Sequence, residues 1–279
     1  MTYLPPKFII KKLVEQALQE DLGHGDITVD SIVKPSQKLR AAVNSRSEGI
    51  VCGIDILKMV FELLDPEIRV EVFLNDGDKV IPGQNIATIG GSARAILTGE
   101  RTALNFIQRM SAIATLTNKF QEGILPYKAK ITDTRKTTPN FRIFEKYSVK
   151  VGGGSPHRFG LYDAVMIKDN HIELAGSITQ AVKLTRENIG HTTKIEVETE
   201  NMVQVKEAID NKVDIIMLDN MTIDQMTEAV NLINGRAITE ASGTISLETV
   251  NQVASTGVNY ISTSAMTARA GILDIGLDI

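Results

Sequence analysis

Two sets of oppositely charged side chains give this sequence its potential for chemistry. Arg135, Lys136, His157, Arg158 and Lys168 fall at or near the ends of two successive short apolar runs. A lone lysine or arginine usually just solvates a surface, but five basic residues converging on one mouth argue for an anion pocket. Arginine forks match planar carboxylates through paired hydrogen bonds, and lysine supplies a point charge suited to phosphate oxygens. A site with both suits a substrate pair bearing carboxylate and phosphate. Glu196, Glu198 and Asp219 are the acidic counterpart, at the ends of the next two runs. Strand alternation puts Glu196 and Glu198 on one face, with Val197 opposite. Those carboxylates could hold Mg2+, ribose hydroxyls or the neighbouring cations, and an oxygen-only set suits Mg2+ that also bridges substrate phosphates.

Small residues supply a further anion site. Ser242-Gly243-Thr244 and Thr263-Ser264-Ala265 follow the last two apolar runs, where backbone N–H groups and hydroxyls can take a phosphate. Gly152-Gly153-Gly154 has no following GK[ST], so it is no P-loop and reads as a flexible loop. The four histidines, His24, His157, His171 and His191, lack zinc-site spacing. Cys52 is the only cysteine, which excludes an internal disulfide and reads as a small buried apolar residue.

The elements that position these groups form two patterns. Residues 7–20 place Phe8, Leu13, Ala17 and Leu18 at helical spacing, and Asp21–Asp26 reads as a loop. Short β-like segments follow at Leu39–Asn44, Ile50–Cys52, Arg69–Leu74, Lys79–Ile81 and Asn85–Ile89, with a helix over 53–64. This is a small α+β domain on an antiparallel sheet. Residues 99–122 then carry an apolar stripe at three- and four-residue intervals, a long helix suited to linking two domains.

Beyond it come six apolar runs: Lys130–Thr132, Ala164–Ile167, Lys194–Glu198, Ile215–Leu218, Ala237–Thr239 and Asn259–Ser262. Helix-length segments separate most of them, which means parallel strands with helical crossovers. Polar residues gathered after successive strands predict a (β/α) barrel with its site at the C-terminal strand ends. A doubly wound sheet would concentrate its chemistry at one switch point. The long connection over Thr137–Asp163 leaves the barrel incomplete or decorated.

Bulk properties narrow the function further. A net charge of -4 and a pI near 5.7 argue against a nucleic-acid-coating surface. No segment approaches the roughly 20 apolar residues of a membrane span, and residues 1–20 do not read as a signal peptide. The expectation is a cytoplasmic protein.

Several stretches together resemble the quinolinate phosphoribosyltransferases, also called carboxylating nicotinate-nucleotide pyrophosphorylases. They are Glu20–Asp26, Gly99–Asn105, Asp133–Pro139, Gly152–Gly154, His157–Asp163, Met166–His171, Ile195–Glu198 and Met217–Asn220. The resemblance implies an α/β fold: an incomplete, roughly seven-stranded barrel over 113–269 and a smaller N-terminal α+β domain over 1–112, rejoined by 270–279. It implies a homodimer in which Arg101 reaches into the partner's barrel mouth. Arg101, Thr134, Arg135, His157, Arg158 and Lys168 would surround quinolinate. Lys136, Lys168, Glu198 and Asp219 would hold 5-phosphoribosyl diphosphate and its Mg2+, and would be the catalytic groups. Ser242-Gly243-Thr244 and Thr263-Ser264-Ala265 would take the 5′-phosphate, although Thr244 and Ser264 stand where the family usually has glycine.

Two other readings fit parts of the chain. One is a molybdate-transport-associated paralogue of the same fold, which the intact Asp133–Pro139 and Met166–His171 segments disfavour. The other is an aldolase-like barrel using Lys168 as a Schiff base, a role that wants a desolvated lysine rather than one among anion-binding groups.

Overall fold

The computed structural model describes residues 6–279, and Met1–Pro5 of the expected N-terminal segment lie outside them. It divides into two compact units. The first comprises the chain up to Asn118, Thr138–Gly153 and Thr267–Ile279; the second comprises Lys119–Thr137 and Gly154–Met266.

The first unit opens with helices α1 (Lys7–Leu22) and α2 (Ile27–Ile32). The buried face of α1 is Ile10, Val14 and Leu18, one stripe of a 3.6-residue period, while Phe8 points outward. The expected loop at Asp21–Asp26 is therefore shorter, because Asp26 caps α2 by accepting the N–H of Val29 at 3.0 Å. Then come β1 (Lys38–Ser45), β2 (Gly49–Ile50), α3 (Ile54–Leu64), β3 (Arg69–Val72), β4 (Lys79–Val80), β5 (Asn85–Ser92) and the long α4 (Ala93–Gly123).

The second unit begins its sheet with β6 (Lys130–Thr132). Helix α5 (Arg142–Val151) then returns to the first unit, which takes in Thr138–Gly153. The reason is packing: Phe141 and Phe144 stack on Phe106 of α4, with ring centroids 5.5 and 5.0 Å away. Gly152 ends α5 not as a flexible link but as a close approach. A Cβ there would lie 2.3 Å from the carbonyl oxygen of Ala114.

The remaining elements are β7 (Val165–Ile167), α6 (Asp169–Ala175), α7 (Ile178–Asn188), β8 (Ile195–Thr199), α8 (Met202–Asp210), β9 (Ile215–Asp219), α9 (Ile223–Ile233), β10 (Ile238–Ser242), α10 (Val250–Ser255), β11 (Tyr260–Ser262), α11 (Ala265–Ala268) and β12 (Ile275–Asp278). Strand β12 pairs antiparallel with β1, giving the first unit a four-stranded sheet of order β12-β1-β5-β3. The chain's end thus rejoins its beginning.

The second unit's sheet has six parallel strands in the order β6-β11-β10-β9-β8-β7. Beyond β6 the ladder continues for a single bridge, Thr132 to Ser155. The seventh position of the barrel is thus represented by one bridging residue. Alternate strand residues face two ways. Val197, Ile216, Leu218 and Ala241 are buried on one side, where the crossover helices contribute Val182, Val205, Ala208, Ala229 and Val253 to the core. The register aligns Met166 with Glu196, Glu198 with Met217, Met217 with Glu240 and Asp219 with Ser242 on the other. No described helix is long and apolar enough to cross a membrane.

Candidate active site

From that second row Met166, Met217, Glu240 and Ser242 line a cavity of about 330 Å³ at the C-terminal strand ends. Thr134, Arg135, Lys136, Arg158 and Lys168 bring its polar groups, with Met166 and Met217 as apolar wall. Ser242, Ser262, His157 and Glu240 complete it. The volume lies at the lower end of small-ligand pockets, suited to one heteroaromatic ring.

Each cation is held by local geometry. The Thr134 hydroxyl accepts the N–H of Lys136 at 3.0 Å, which bends the chain directly after β6. Arg158 donates to the carbonyl of Ala164 at 3.0 Å. Its guanidinium pKa is lowered by burial and by the repulsion of Arg135 nearby. Both effects mark a site waiting for anions. His171 turns back to accept the N–H of Lys168 at 2.9 Å, which fixes the start of α6 and thereby the lysine. Lys168 Nζ reaches Glu198 Oε2 at 2.5 Å.

Glu198 and Asp219 lie at the ends of β8 and β9, beside the cavity rather than among its lining residues. Asn220 orients Asp219 by donating to its Oδ2 at 2.8 Å. Gly243 is needed opposite this turn: its φ is +130°, and a Cβ would meet Asn220 Oδ1 at 2.6 Å. Thr244 is exposed. The Thr263 hydroxyl is turned inward, accepting the N–H of Ala265 at 3.2 Å and donating to the carbonyl of Ile245 at 3.4 Å. Arg101 stands on α4 of the first unit, exposed.

Sequence reasoning missed Glu240. The apolar run Ala237–Thr239 was expected to end before it, but β10 extends to Ser242 and turns Glu240 inward. There His157 Nε2 lies 3.2 Å from Glu196 Oε2 and 3.4 Å from Glu240 Oε1, both carboxylates being buried. Asp133, fully buried, accepts the backbone N–H of His157 at 2.7 Å. Its alignment with Met217 is a matter of strand register, which the sequence does not state.

These three groups titrate as one cluster. Burial disfavours a charged imidazole, but the attraction of Glu196 and Glu240 keeps a proton in the cluster up to about pH 10. Because Nδ1 accepts the N–H of Arg158, the ring stays neutral with its hydrogen on Nε2, and the additional proton rests on the carboxylates. Burial also raises the pKa of Glu196, with repulsion from Glu240 adding and His157 opposing. The folded cluster therefore keeps a proton that the unfolded chain releases. A raised pKa stabilises most below its unfolded value and loses that contribution as pH climbs through the folded one. Thermal stability should accordingly fall as pH rises from 6.5 through about 10. Melting curves of the protein and of Glu240→Gln across that window test this: the variant's slope should be flatter, and equal slopes would contradict the assignment.

Comparison with known proteins gives matches along nearly the whole chain. The family model described as the quinolinate phosphoribosyl transferase C-terminal domain matches residues 113–278, and its N-terminal counterpart matches 26–111. The chain is 43% identical to the probable nicotinate-nucleotide pyrophosphorylase (carboxylating) of Synechocystis sp., covering 100% of this chain and 95% of that protein. Its identity to the protein so described in Bacillus subtilis is 45%, over 97% of this chain and 93% of that one. Among solved structures, NadC from Streptococcus pyogenes superposes with a TM-score of 0.96 at 38% identity, covering 100% and 98% of the two chains.

Proposed function

The chain belongs to the quinolinate phosphoribosyltransferase family, and we propose that it joins quinolinate to 5-phosphoribosyl diphosphate, giving nicotinate mononucleotide, CO2 and diphosphate in de novo NAD biosynthesis. The observation that carries this reading is the convergence of Arg135, Lys136, Arg158 and Lys168 on one small cavity. Four cations and an apolar wall suit a flat, doubly charged ring beside a phosphorylated sugar.

The chemistry follows from those groups. The pyridine nitrogen bonds to the anomeric carbon as the bond to diphosphate breaks. Positive charge develops on the ribosyl centre and negative charge on the departing oxygen. Lys136 and Lys168 are suited to the second, and the Glu198 and Asp219 carboxylates to the first. The new pyridinium then draws the electron pair left when the 2-carboxylate departs as CO2, and that ring carbon takes up a proton. No covalent enzyme nucleophile is needed.

The residues fit Mg2+ in their chemistry. Glu198 and Asp219 offer only hard oxygen donors at neighbouring strand ends, and the hydrogen bonds described above engage one oxygen of each. They would hold the ion that accompanies diphosphate, and bound there it would neutralise the leaving group. Arg101, exposed on α4, supports a homodimer in which it completes the partner's site. The substrates are small, highly charged anions that do not cross bilayers unaided, which supports a cytoplasmic place of action. The ion pair between Lys168 and Glu198, with the lysine side chain 44% exposed, counts against a Schiff-base role.

Incubating the purified protein with both substrates and Mg2+ tests the reading. Nicotinate mononucleotide should appear only when all three are present, and its absence from a folded, Mg2+-loaded sample would sink the proposal.

A further inference from the structure

His157 lines the cavity, yet both of its ring nitrogens are engaged by the protein itself. Nε2 faces Glu196 at 3.2 Å and Glu240 at 3.4 Å. Nδ1 accepts the backbone N–H of Arg158 at 2.7 Å. An atom that accepts an N–H carries no proton, so the neutral ring that fits this network has its hydrogen on Nε2, aimed at the carboxylates. The same bond decides against a metal ion among His157, Glu196 and Glu240, whose ligand atoms lie within 4.8 Å of one another. A histidine that ligates a metal through one nitrogen donates a hydrogen from the other, and here the other accepts.

The consequence falls on Arg158. Its backbone is fixed at the N–H by His157, and its guanidinium by the carbonyl of Ala164. His157 is in turn fixed at its own N–H by Asp133 and at its ring by two buried carboxylates. We infer that His157 is a positioning residue, clamped by Glu196 and Glu240, that sets Arg158 for a substrate carboxylate and does not itself bond the substrate through a ring nitrogen. This rests on the proposed reaction for the identity of the substrate. It goes beyond that reading in giving Glu240 a role and in moving His157 out of substrate contact.

Two measurements test it. Ring-15N-labelled protein, with the His157 signals identified by their loss in His157→Asn, should show Nε2 protonated and Nδ1 unprotonated at neutral pH without any substrate. A protonated Nδ1 would overturn the clamp whatever the enzyme's substrate proves to be. The second is a double-mutant cycle on the whole enzyme, scored by the KM for quinolinate and the KM for the ribosyl donor. Glu240→Gln and His157→Asn should each raise the first by about 10-fold and leave the second within about 2-fold. The double variant should be no worse than His157→Asn alone, because residues acting through one network are not additive. A double variant near about 100-fold, the product of independent effects, would show that His157 meets the substrate separately and would overturn the inference. Loss of quinolinate turnover in the unmodified enzyme would instead strike the proposed reaction and leave the nitrogen assignment standing or falling by its own spectrum.

Discussion

Nicotinate is expected to be used about 10^4-fold less efficiently than quinolinate, if at all, because a site built to pair a charged group strongly rejects an analogue that lacks it. The structural basis is the charge within one 330 Å³ cavity: Arg135, Arg158 and Lys168 face it together with Lys136. Burial and the repulsion of Arg135 both lower the Arg158 pKa, and an anion seated between the two guanidinium groups would offset both. Nicotinate brings one carboxylate and leaves part of that charge unpaired. It also lacks the 2-carboxylate whose loss completes the reaction. Steady-state kinetics with the two acids at matched donor concentration measure the ratio, and comparable efficiencies would rule out this reading of the pocket.

The second large effect concerns Arg101. Arg101→Ala should lower turnover by about 10^2-fold or more while leaving the fold intact, since a misplaced reactant alone costs that much. Its exposure on α4 is consistent with little contribution to folding. Complementation separates a role across the dimer from one within the chain. In a heterodimer of Arg101→Ala with Lys136→Ala, one mouth carries both altered residues and the other neither. An evenly mixed population should then recover about a quarter of the wild-type rate, because half the dimers are mixed and each has one native mouth of two. Verified heterodimers without activity would place Arg101 outside the partner's site.

How far the sequence alone could lead depended on which physical signal each element carries. The six barrel strands were legible because each is a short apolar run closed by polar residues, and all six start within one residue of the expected place; β6 matches at both ends. Helices α5 and α6 were not anticipated. The first is rich in charged residues, and its partner face depends on Phe106, distant in sequence. The second is only seven residues long, too short for a periodic signal. The glycines at 152–154 suggested flexibility, whereas Gly152 answers to the proximity of Ala114, which no local pattern encodes. For α1, propensity marked the helix, but Phe8 was placed on the wrong face by one plausible spacing among several.

In the site the same distinction holds. Arg135, Lys136, Arg158 and Lys168 were visible as charges after apolar runs, and the cavity gathers them. Glu240 was invisible because a carboxylate within a buried strand looks like the strand's end. The engagement of both His157 nitrogens was equally hidden, since it requires partners on β8, on β10 and in its own backbone.

In the proposed reaction, transfer and decarboxylation occur together at one site. It is tested most directly with quinolinate carrying 14C in its 2-carboxylate or, separately, in its 3-carboxylate. With 5-phosphoribosyl diphosphate and Mg2+, the 2-label should be released as CO2 in a one-to-one ratio with diphosphate, and the 3-label should remain in the mononucleotide. Diphosphate release without labelled CO2, or CO2 drawn from the 3-position, would contradict the account.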